Sequence, residues 1–506
     1  MAKIDKVLVA NRGEIAIRIF RTCRKMGIRT IAIYTHADRK APHVRYADEA
    51  YLISDNKDDH TYLKKDKIID IAKKTNAAIH PGYGFYAENA DFAQSVEDAG
   101  LIFIGPHPKH INDMGSKTAA RHIMNSAGVP IIPGTKNPIR DINEAKKVAV
   151  DIGLPIMLKA VYGGGGKGMR IIKDIKDFEP SFRLATSEAQ SSFGNGDLYI
   201  EKYIEEPHHV EVQVLGDKHG NYVHLFEREC SIQRRHQKLI EETPSPFIDD
   251  NTRKEMFEVA VKAIKTIGYI SAGTLEFIVG KDKKFYFLEM NTRLQVEHPI
   301  TEIVTGVDIV REMILIAEDK QISYKQDEIK RDGHAIECRI CAEDPTNNFM
   351  PSPGLIKVYH APEGPNVRVE SGVYDGYEIP LFYDPLMAKV CAHDKTRYGA
   401  IINMRRILSE FILLGIKSNI PFHQSVLKNN TFIKGIYDTG FIDNQFNVEE
   451  MQRRKEEDPS VAIIAASIKQ LLSEKKAAAE SLTEKEGVYE NNWKRIGRLM
   501  NIQRLF

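Results

Sequence analysis

VLVANRGEIAIRIFRTCRKMGIRTIAIYT, residues 7–35, decides the architecture of the first part of the chain. VLVA (7–10) is a short continuous apolar run that reads as a buried strand, and TIAIYT (30–35) is a second. Between them EIAIRIFRTCRKMG (14–27) reads as an amphipathic helix. Strand, helix and strand in this order make a βαβ unit, which predicts parallel pairing. A further apolar strand, LIFIG (101–105), follows a helix-like stretch.

The turn after the first strand is Asn11-Arg12-Gly13 and lacks the G-x-G-x-x-G spacing of a dinucleotide site. A Rossmann-like shape without nicotinamide binding is therefore expected, and βαβ alone names no function. At 506 residues the chain is long enough for several domains. Its 42% hydrophobic and 28% charged residues are ordinary for a soluble globular protein. A net charge of +1 argues against bulk attraction to nucleic acid or anionic membrane, so any anion site must be local. No apolar run approaches a membrane span, and MAKIDKVLVANRGE has no signal-peptide h-region. Five scattered cysteines make no disulfide framework and fit a reducing, cytoplasmic setting. Cys338-x-x-Cys341 sits in the strand-like HAIECRICAE, where residues three apart face opposite ways, which argues against zinc or redox chemistry.

From about residue 116 the texture changes. KTAARHIMNSAGV (117–129) reads as a helix closed near Gly128, and PIMLKAV (155–161) as a strand running into GGGGKG (163–168). Two hairpins follow, HVEVQVLGDKHGNYVHLFERE (209–229), turning at Asp217 to Gly220, and GTLEFIVGKDKKFYFLEMN (273–291). A third, β-rich region runs from about 331 to 447, and the last 60 residues are charged and helical.

In the second hairpin a loop at Lys281 to Lys284 places Gly280 opposite Phe285 and Glu276 opposite Glu289. Like charges facing each other destabilise a sheet, so either both are solvated or a cation sits between them. Oxygen ligands of this kind suit Mg²⁺, and Asn291 on the same face can add a carbonyl oxygen. The alternation continues through Arg293, Gln295 and Glu297, which favours a site. GGGGKG lacks the Lys-Ser/Thr of a P-loop; it reads equally as a plain flexible loop or as amides that approach phosphate, with Lys159 and Lys167 supplying charge. SIQRRHQK (231–238) is either a solvated strip or a contact for a small polar anion; without aromatic interleaving it does not support nucleic acid.

These motifs in this order resemble the biotin carboxylase family of ATP-grasp enzymes. The matching segments are LVANRGEIAIRI, IHPGYGFYAENADFA, FIGP, KAVYGGGGKGMR, IEKYIEEPHHVEVQVLGD, ERECSIQRRHQKLIEETPSP, EMNTRLQVEHPITE, GHAIECRICAEDP, FYDPLMAKV and GIKSNIPFH, covering about residues 3–447. Lys167 departs from the Arg of many relatives but keeps the charge. The resemblance implies a mixed α/β and α+β multidomain chain: a Rossmann-like N-terminal domain (1–115), an ATP-grasp domain (116–330) with a mobile lid (about 131–204), a β-rich C-terminal domain (331–447) and a helical tail (448–506).

It also implies roles. Lys117 and Lys159, with the loop at Gly165 and Gly166, resemble ATP phosphate ligands. Glu201, Lys202, Tyr203 and Ile204 resemble the adenine hinge, and His209, Gln233 and His236 further nucleotide contacts. Glu276, Glu289 and Asn291 match ligands for Mg²⁺ (or Mn²⁺). Lys238, Arg293, Gln295 and the Val296 backbone match a bicarbonate pocket, Glu297 the base that deprotonates bicarbonate, and Arg339 the group that stabilises the biotin enolate. In the family's mechanism carboxyphosphate forms and breaks down to CO₂ and phosphate, and the phosphate deprotonates biotin for attack on CO₂.

Biotin carriers of this family hold a lysine between methionines, and no Met-Lys-Met occurs here. The expectation is a biotin carboxylase subunit, homodimeric by family, working on a separate biotinylated carrier with a carboxyltransferase subunit on another chain. Its terminal NNWKRIGRLMNIQRLF resembles tails on the biotin carboxylase subunits of two-subunit pyruvate carboxylases; it reads as a helix packed on its own domain or as a docking element. The resemblance implies a subunit of a pyruvate carboxylase as the first expectation, with an acetyl- or propionyl-CoA carboxylase as the second. A different ATP-grasp ligase would not need QVEHP or Arg339, and an inactive nucleotide-binding regulatory subunit would lack Glu297, Arg293 or a metal carboxylate, all of which are present.

Overall fold

The computed structural model describes residues 3–135, 137–160, 169–193, 195–235 and 237–446, with two isolated positions, 467 and 470. Contacts divide the chain into one unit through Phe446 and a second from Asn447. Apart from positions 467 and 470, which are helical, the expected helical tail and its basic terminus lie outside the described residues.

The opening βαβ unit forms as its sequence dictates. Strand Lys6–Val9 pairs in parallel with Arg29–Tyr34, in register Lys6 to Arg29. Helix Gly13–Lys25 crosses between them, burying Ile15, Ile19, Phe20 and Cys23. It stops two residues earlier than expected, at a turn where Gly27 takes φ +72°. The four-stranded sheet has the order Glu49–Leu52, Arg29–Tyr34, Lys6–Val9, Ala78–His80. The strand expected at 101–105 is not one. Phe103 makes a single parallel bridge to Ile79, through Ile79 N to Ile102 O and Ile104 N to Ile79 O at 2.8 Å each. Gly105 then donates back to the Phe103 carbonyl, and Pro106 has no N–H to continue the ladder.

A small antiparallel sheet follows, ordered Met169–Ile172, Ile156–Ala160, Leu198–Lys202. Helices Ile142–Ile152 and Phe178–Phe193 share its separate core of Ile156, Leu158, Ile200, Phe178 and Phe182.

The largest element is an antiparallel sheet of eight strands: Phe285–Asn291, Ser271–Val279, His208–Gly216, Tyr222–Arg234, Gln237–Thr243, His334–Cys341, Leu386–Asp394 and Val367–Ser371. Strands from both the 116–330 and 331–447 regions thus belong to one sheet, joined where Ile240 to Thr243 pair with Cys338 to Ala335. Helix Asp250–Ile267 covers part of one face with Met256, Phe257, Ala260 and Ile264. Both hairpins form where expected. The second begins one residue out of the expected register, with Val279 opposite Phe285, and a bulge at Leu288 restores Glu276 opposite Glu289.

Gly216 ends its strand against the Tyr269 carbonyl oxygen, 2.2 Å from where a Cβ would stand. Gly216→Ala is therefore expected to lower stability by about 1–3 kcal/mol through overpacking. Urea unfolding measures this, and an unchanged midpoint would contradict the close approach.

Candidate active site

One rung of the large sheet concentrates charge. Glu289, Glu276, Glu211 and Arg228 stand side by side on four adjacent strands. Neighbouring carboxylates repel, and Glu276 and Glu211 are buried, while Glu289 lies exposed at the rim. The compensating cation comes from the strand Gln237–Thr243. Lys238 Nζ donates to Glu211 Oε2 at 2.6 Å, Glu276 Oε1 at 2.9 Å and Glu297 Oε1 at 2.7 Å. Burial alone would lower this ammonium's pKa, but the three carboxylates hold it well above the usual lysine range.

The polar row that begins at Glu289 keeps its strand geometry only to Asn291. Beyond it the chain folds back as a loop, and Glu297 immediately precedes helix His298–Thr305. The loop still brings the expected side chains together. Gln295 Nε2 donates to Glu276 Oε1 at 3.1 Å, and Asn291 Nδ2 to the same oxygen at 2.7 Å. Arg293 Nη2 donates to Asn291 Oδ1 at 2.7 Å and Nη1 to Gln295 Oε1 at 3.2 Å. Glu88, from the N-terminal region, accepts from Thr292 N at 3.0 Å and Arg293 Nε at 2.8 Å. The loop carrying Glu88 is tied in turn by Asn11, whose Nδ2 donates to the Pro81 and Tyr83 carbonyls at 2.8 and 2.7 Å.

Glu297 is fully buried, and its second oxygen accepts from Arg339 Nη2 at 3.0 Å. Burial would raise its pKa, yet Lys238, Arg339 and Arg228 hold it well below the carboxylate range. Arg339 also donates to Glu241 at 2.6 Å. Glu241 is buried with its other oxygen unpartnered. Burial, against the pull of Arg339, pushes its pKa up to about 7.

The nucleotide candidates lie to the other side. Lys159 and Arg121 both donate to Glu201. Lys202 Nζ donates to the Gly153 and Leu154 carbonyls at 2.9 and 2.8 Å, and Tyr203 N to the Pro155 carbonyl at 3.0 Å. Ile204 approaches Gly280. Gln233 pairs across the strands with Lys238. His209 Nε2 lies 2.7 Å from Glu276 Oε2, linking this side to the carboxylate rung.

Three families match consecutive stretches. That described as biotin carboxylase, N-terminal domain, matches residues 3–111; carbamoyl-phosphate synthase L chain, ATP binding domain, matches 116–325; and biotin carboxylase C-terminal domain matches 337–444. Biotin carboxylase 1 of Bacillus subtilis is 50% identical over 442 residues, covering 87% of this chain and 98% of that protein. The chain belongs to the biotin carboxylase family. A pyruvate carboxylase subunit of Methanothermobacter thermautotrophicus is 47% identical over 478 residues, covering 94% of this chain and 97% of that one. A crystal structure of the Hydrogenobacter thermophilus 2-oxoglutarate carboxylase biotin carboxylase domain dimer, in complex with MgADP, ADP and bicarbonate, is 48% identical with a TM-score of 0.79, covering 88% of this chain and 98% of that one.

In this biotin carboxylase, an ATP-dependent carboxylase ligase of the ATP-grasp type, the expected residues Asn291, Gln295, Glu297 and His209 each contact Lys238 or Glu276, whereas Lys159 and Glu201 to Ile204 form a separate group. Gly165, Gly166, His236 and the Lys117 side chain lie outside the described residues. Lys202 is held on two backbone carbonyls. The Val296 carbonyl accepts from Lys389 at 2.7 Å. Cys338 and Cys341 are both buried, and burial raises both thiols well above their usual pKa. Glu211, Arg228, Glu241 and Glu88 were not singled out from the sequence. A signal for the first three exists, since HVEVQV, EREC and KLIEE set charged residues inside strands otherwise fit for a core. Glu88 carries no such mark.

With Glu297 depressed and Lys238 elevated, the central charges persist across neutral pH. Glu241 does not share this. An unfolded glutamate ionises near pH 4.5, whereas the folded one keeps its proton to about 7. The folded chain therefore binds the extra proton between these values, and stability falls as pH rises through that window. Glu241→Gln is expected to flatten the fall in melting temperature between pH 5 and 7; an unchanged slope would contradict the raised pKa.

Proposed function

We propose that this chain carboxylates biotin on a separate carrier protein, using ATP and bicarbonate, as the biotin carboxylase subunit of a pyruvate carboxylase. The observation that carries the chemistry is the juxtaposition of Lys238, Arg293 and Gln295 with Glu297 and Arg339. Two cations and an amide suit a small planar oxyanion, which a guanidinium can grip with two hydrogen bonds. The carboxylate at its edge suits proton removal. In this reading Lys238, Arg293, Gln295 and the Val296 backbone hold bicarbonate, Glu297 takes its proton, and Arg339 stabilises the biotin enolate. Lys117, Lys159, Gly165 and Gly166 take the role of ATP phosphate ligands, and Glu201 to Ile204, His209, Gln233 and His236 that of contacts to the rest of the nucleotide.

The donor set fits a hard divalent cation: Glu276 and Glu289 face each other in register and Asn291 lies on the same face. Mg²⁺, or Mn²⁺, held there by these three residues would neutralise charge on the transferring phosphoryl group. The chain's own contribution is to place Glu276 and Gln295 on one hydrogen-bond network, so that the loop carrying the anion residues is tied to the strand carrying the metal carboxylate.

The pyruvate reading is supported by the length of the match to the Methanothermobacter pyruvate carboxylase chain, 478 residues against 442 for the Bacillus biotin carboxylase. A component of a 2-oxoglutarate carboxylase is the second reading, on the likeness to the Hydrogenobacter domain. Domain limits at about 115, 330 and 447, a lid at about 131–204, a homodimer, a carboxyltransferase on a separate chain and cytoplasmic location complete the proposal, with the 448–506 tail as a docking element.

ADP release with free biotin and bicarbonate tests the chemistry. Glu297→Gln is expected to lower biotin-dependent turnover by about 100- to 10,000-fold, and Arg339→Ala by about 100- to 1,000-fold. A wild-type protein without biotin-dependent turnover would refute the assignment. Removing residues 485–506 should weaken co-purification with the carboxyltransferase chain, and unchanged assembly sinks the docking role.

A further inference from the structure

Lys389 is fully buried and has no part in the roles assigned above. It lies on strand Leu386–Asp394, directly opposite Arg339 on strand His334–Cys341. Cross-strand partners leave the same face of a sheet. Arg339 holds the Glu297 carboxylate at 3.0 Å, and Lys389 Nζ donates to the carbonyl oxygen of the preceding residue, Val296, at 2.7 Å. Two neighbouring cations thus grip two consecutive residues, one through its side chain and one through its backbone.

The ammonium is anchored from behind. Glu14 Oε1 lies 3.3 Å from Lys389 Nζ, and the Tyr83 hydroxyl donates to that same oxygen. Glu14 lies in the first turn of the helix of the opening βαβ unit, and Tyr83 belongs to the loop that also carries Glu88. An ammonium in a fully buried position is retained at a desolvation cost that an apolar side chain of the same length would avoid. Its polar work here is the tether to Val296, the pairing with Glu14 and the charge it presents to Glu337 and to its cross-strand partner Glu370.

We propose that Lys389 is a positioning residue that sets the orientation of the Val296–Glu297 peptide toward the bicarbonate site, a proposal that rests on the bicarbonate reading. In a trans peptide the Val296 carbonyl and the Glu297 N–H point in opposite directions. Tethering the oxygen to Lys389 therefore turns the N–H away from the ammonium and keeps an oxygen that would repel an anion directed into the sheet. Lys389 acts on the backbone. The charges that hold the Glu297 carboxyl down are Lys238, Arg339 and Arg228. Its loss should displace the loop without retitrating the base.

The test is steady-state ATP cleavage with free biotin, varying bicarbonate and ATP separately. The double variant Glu14→Gln/Lys389→Met removes both charges of the buried pair, so neither is left uncompensated. Its KM for bicarbonate is expected to rise about 10- to 100-fold, with KM for ATP within about twofold of wild type and the acid limb of the pH profile unmoved. Lys389→Arg, which keeps a donor for Val296, is expected to recover most of the bicarbonate affinity. An unchanged bicarbonate KM in the double variant overturns the proposal, as does a similar rise in both substrates' KM values with a lowered melting temperature. Equal defects in the arginine and double variants overturn it too. Absence of bicarbonate-dependent turnover in the wild type overturns the functional reading and this inference with it.

Discussion

The Lys238 ammonium is the point on which the site depends. It takes one oxygen from each of three buried carboxylates, and a different group meets the other oxygen of each. Glu211 turns to Arg228 at 2.5 Å, Glu276 to His209 at 2.7 Å and Glu297 to Arg339 at 3.0 Å. Three carboxylates brought this close without cations would not all ionise. With them, each acid is aimed by two directional contacts, and their relative positions are as rigid as the strands beneath. Removing any one partner would leave a buried charge uncompensated, which costs about 3–5 kcal/mol. Stability and function are therefore entangled at this cluster, whereas paired removal of both charges can separate them.

The sheet explains why such an arrangement can be built at all. Glu289, Glu276, Glu211 and Arg228 form a single rung because their strands are hydrogen-bonded neighbours. Arg339 and Lys389 form another, on strands contributed by the C-terminal region. The loop from Thr292 to Glu297 is pinned between them and by Glu88 from the N-terminal region. All three regions of the chain thus fix one six-residue loop. Its contacts to Glu88, Lys238, Arg339 and Lys389 come from far away in sequence, so its conformation is a property of the assembled fold.

That distinction also accounts for what could be read beforehand. The βαβ unit, both hairpins and the Glu276–Glu289 pairing depend on local periodicity and turn chemistry, and they were legible. The pairing came out right although the turn register was off by one, because a bulge at Leu288, exposed and free of core constraint, compensates. The strand expected at 101–105 failed at Gly105 and Pro106, where the apolar run says nothing of the missing donor that ends the ladder. The row beyond Asn291 was half legible: alternation found the residues that converge, but a loop rather than a strand brings them together. Glu88 and Lys389 were invisible as site elements, since their partners are some 205 and 93 residues away. The facing carboxylates pointed to a hard cation, but the anion's identity never followed from spacing; the family resemblance supplied it.

A carboxylate held well below its ordinary pKa by Lys238 and Arg339 is a weak base. In this arrangement Glu297 is well placed but poorly disposed to take a proton. An anion entering between Lys238 and Arg293 would compete for the Lys238 hydrogen bonds, and each contact it draws from Glu297 raises that group's proton affinity. The same lysine that holds Glu276 and Glu297 ionised in the resting site would then make the base basic only when its substrate is present. Proton transfer would thus be coupled to anion binding through the sharing of one ammonium, with no movement of the backbone required.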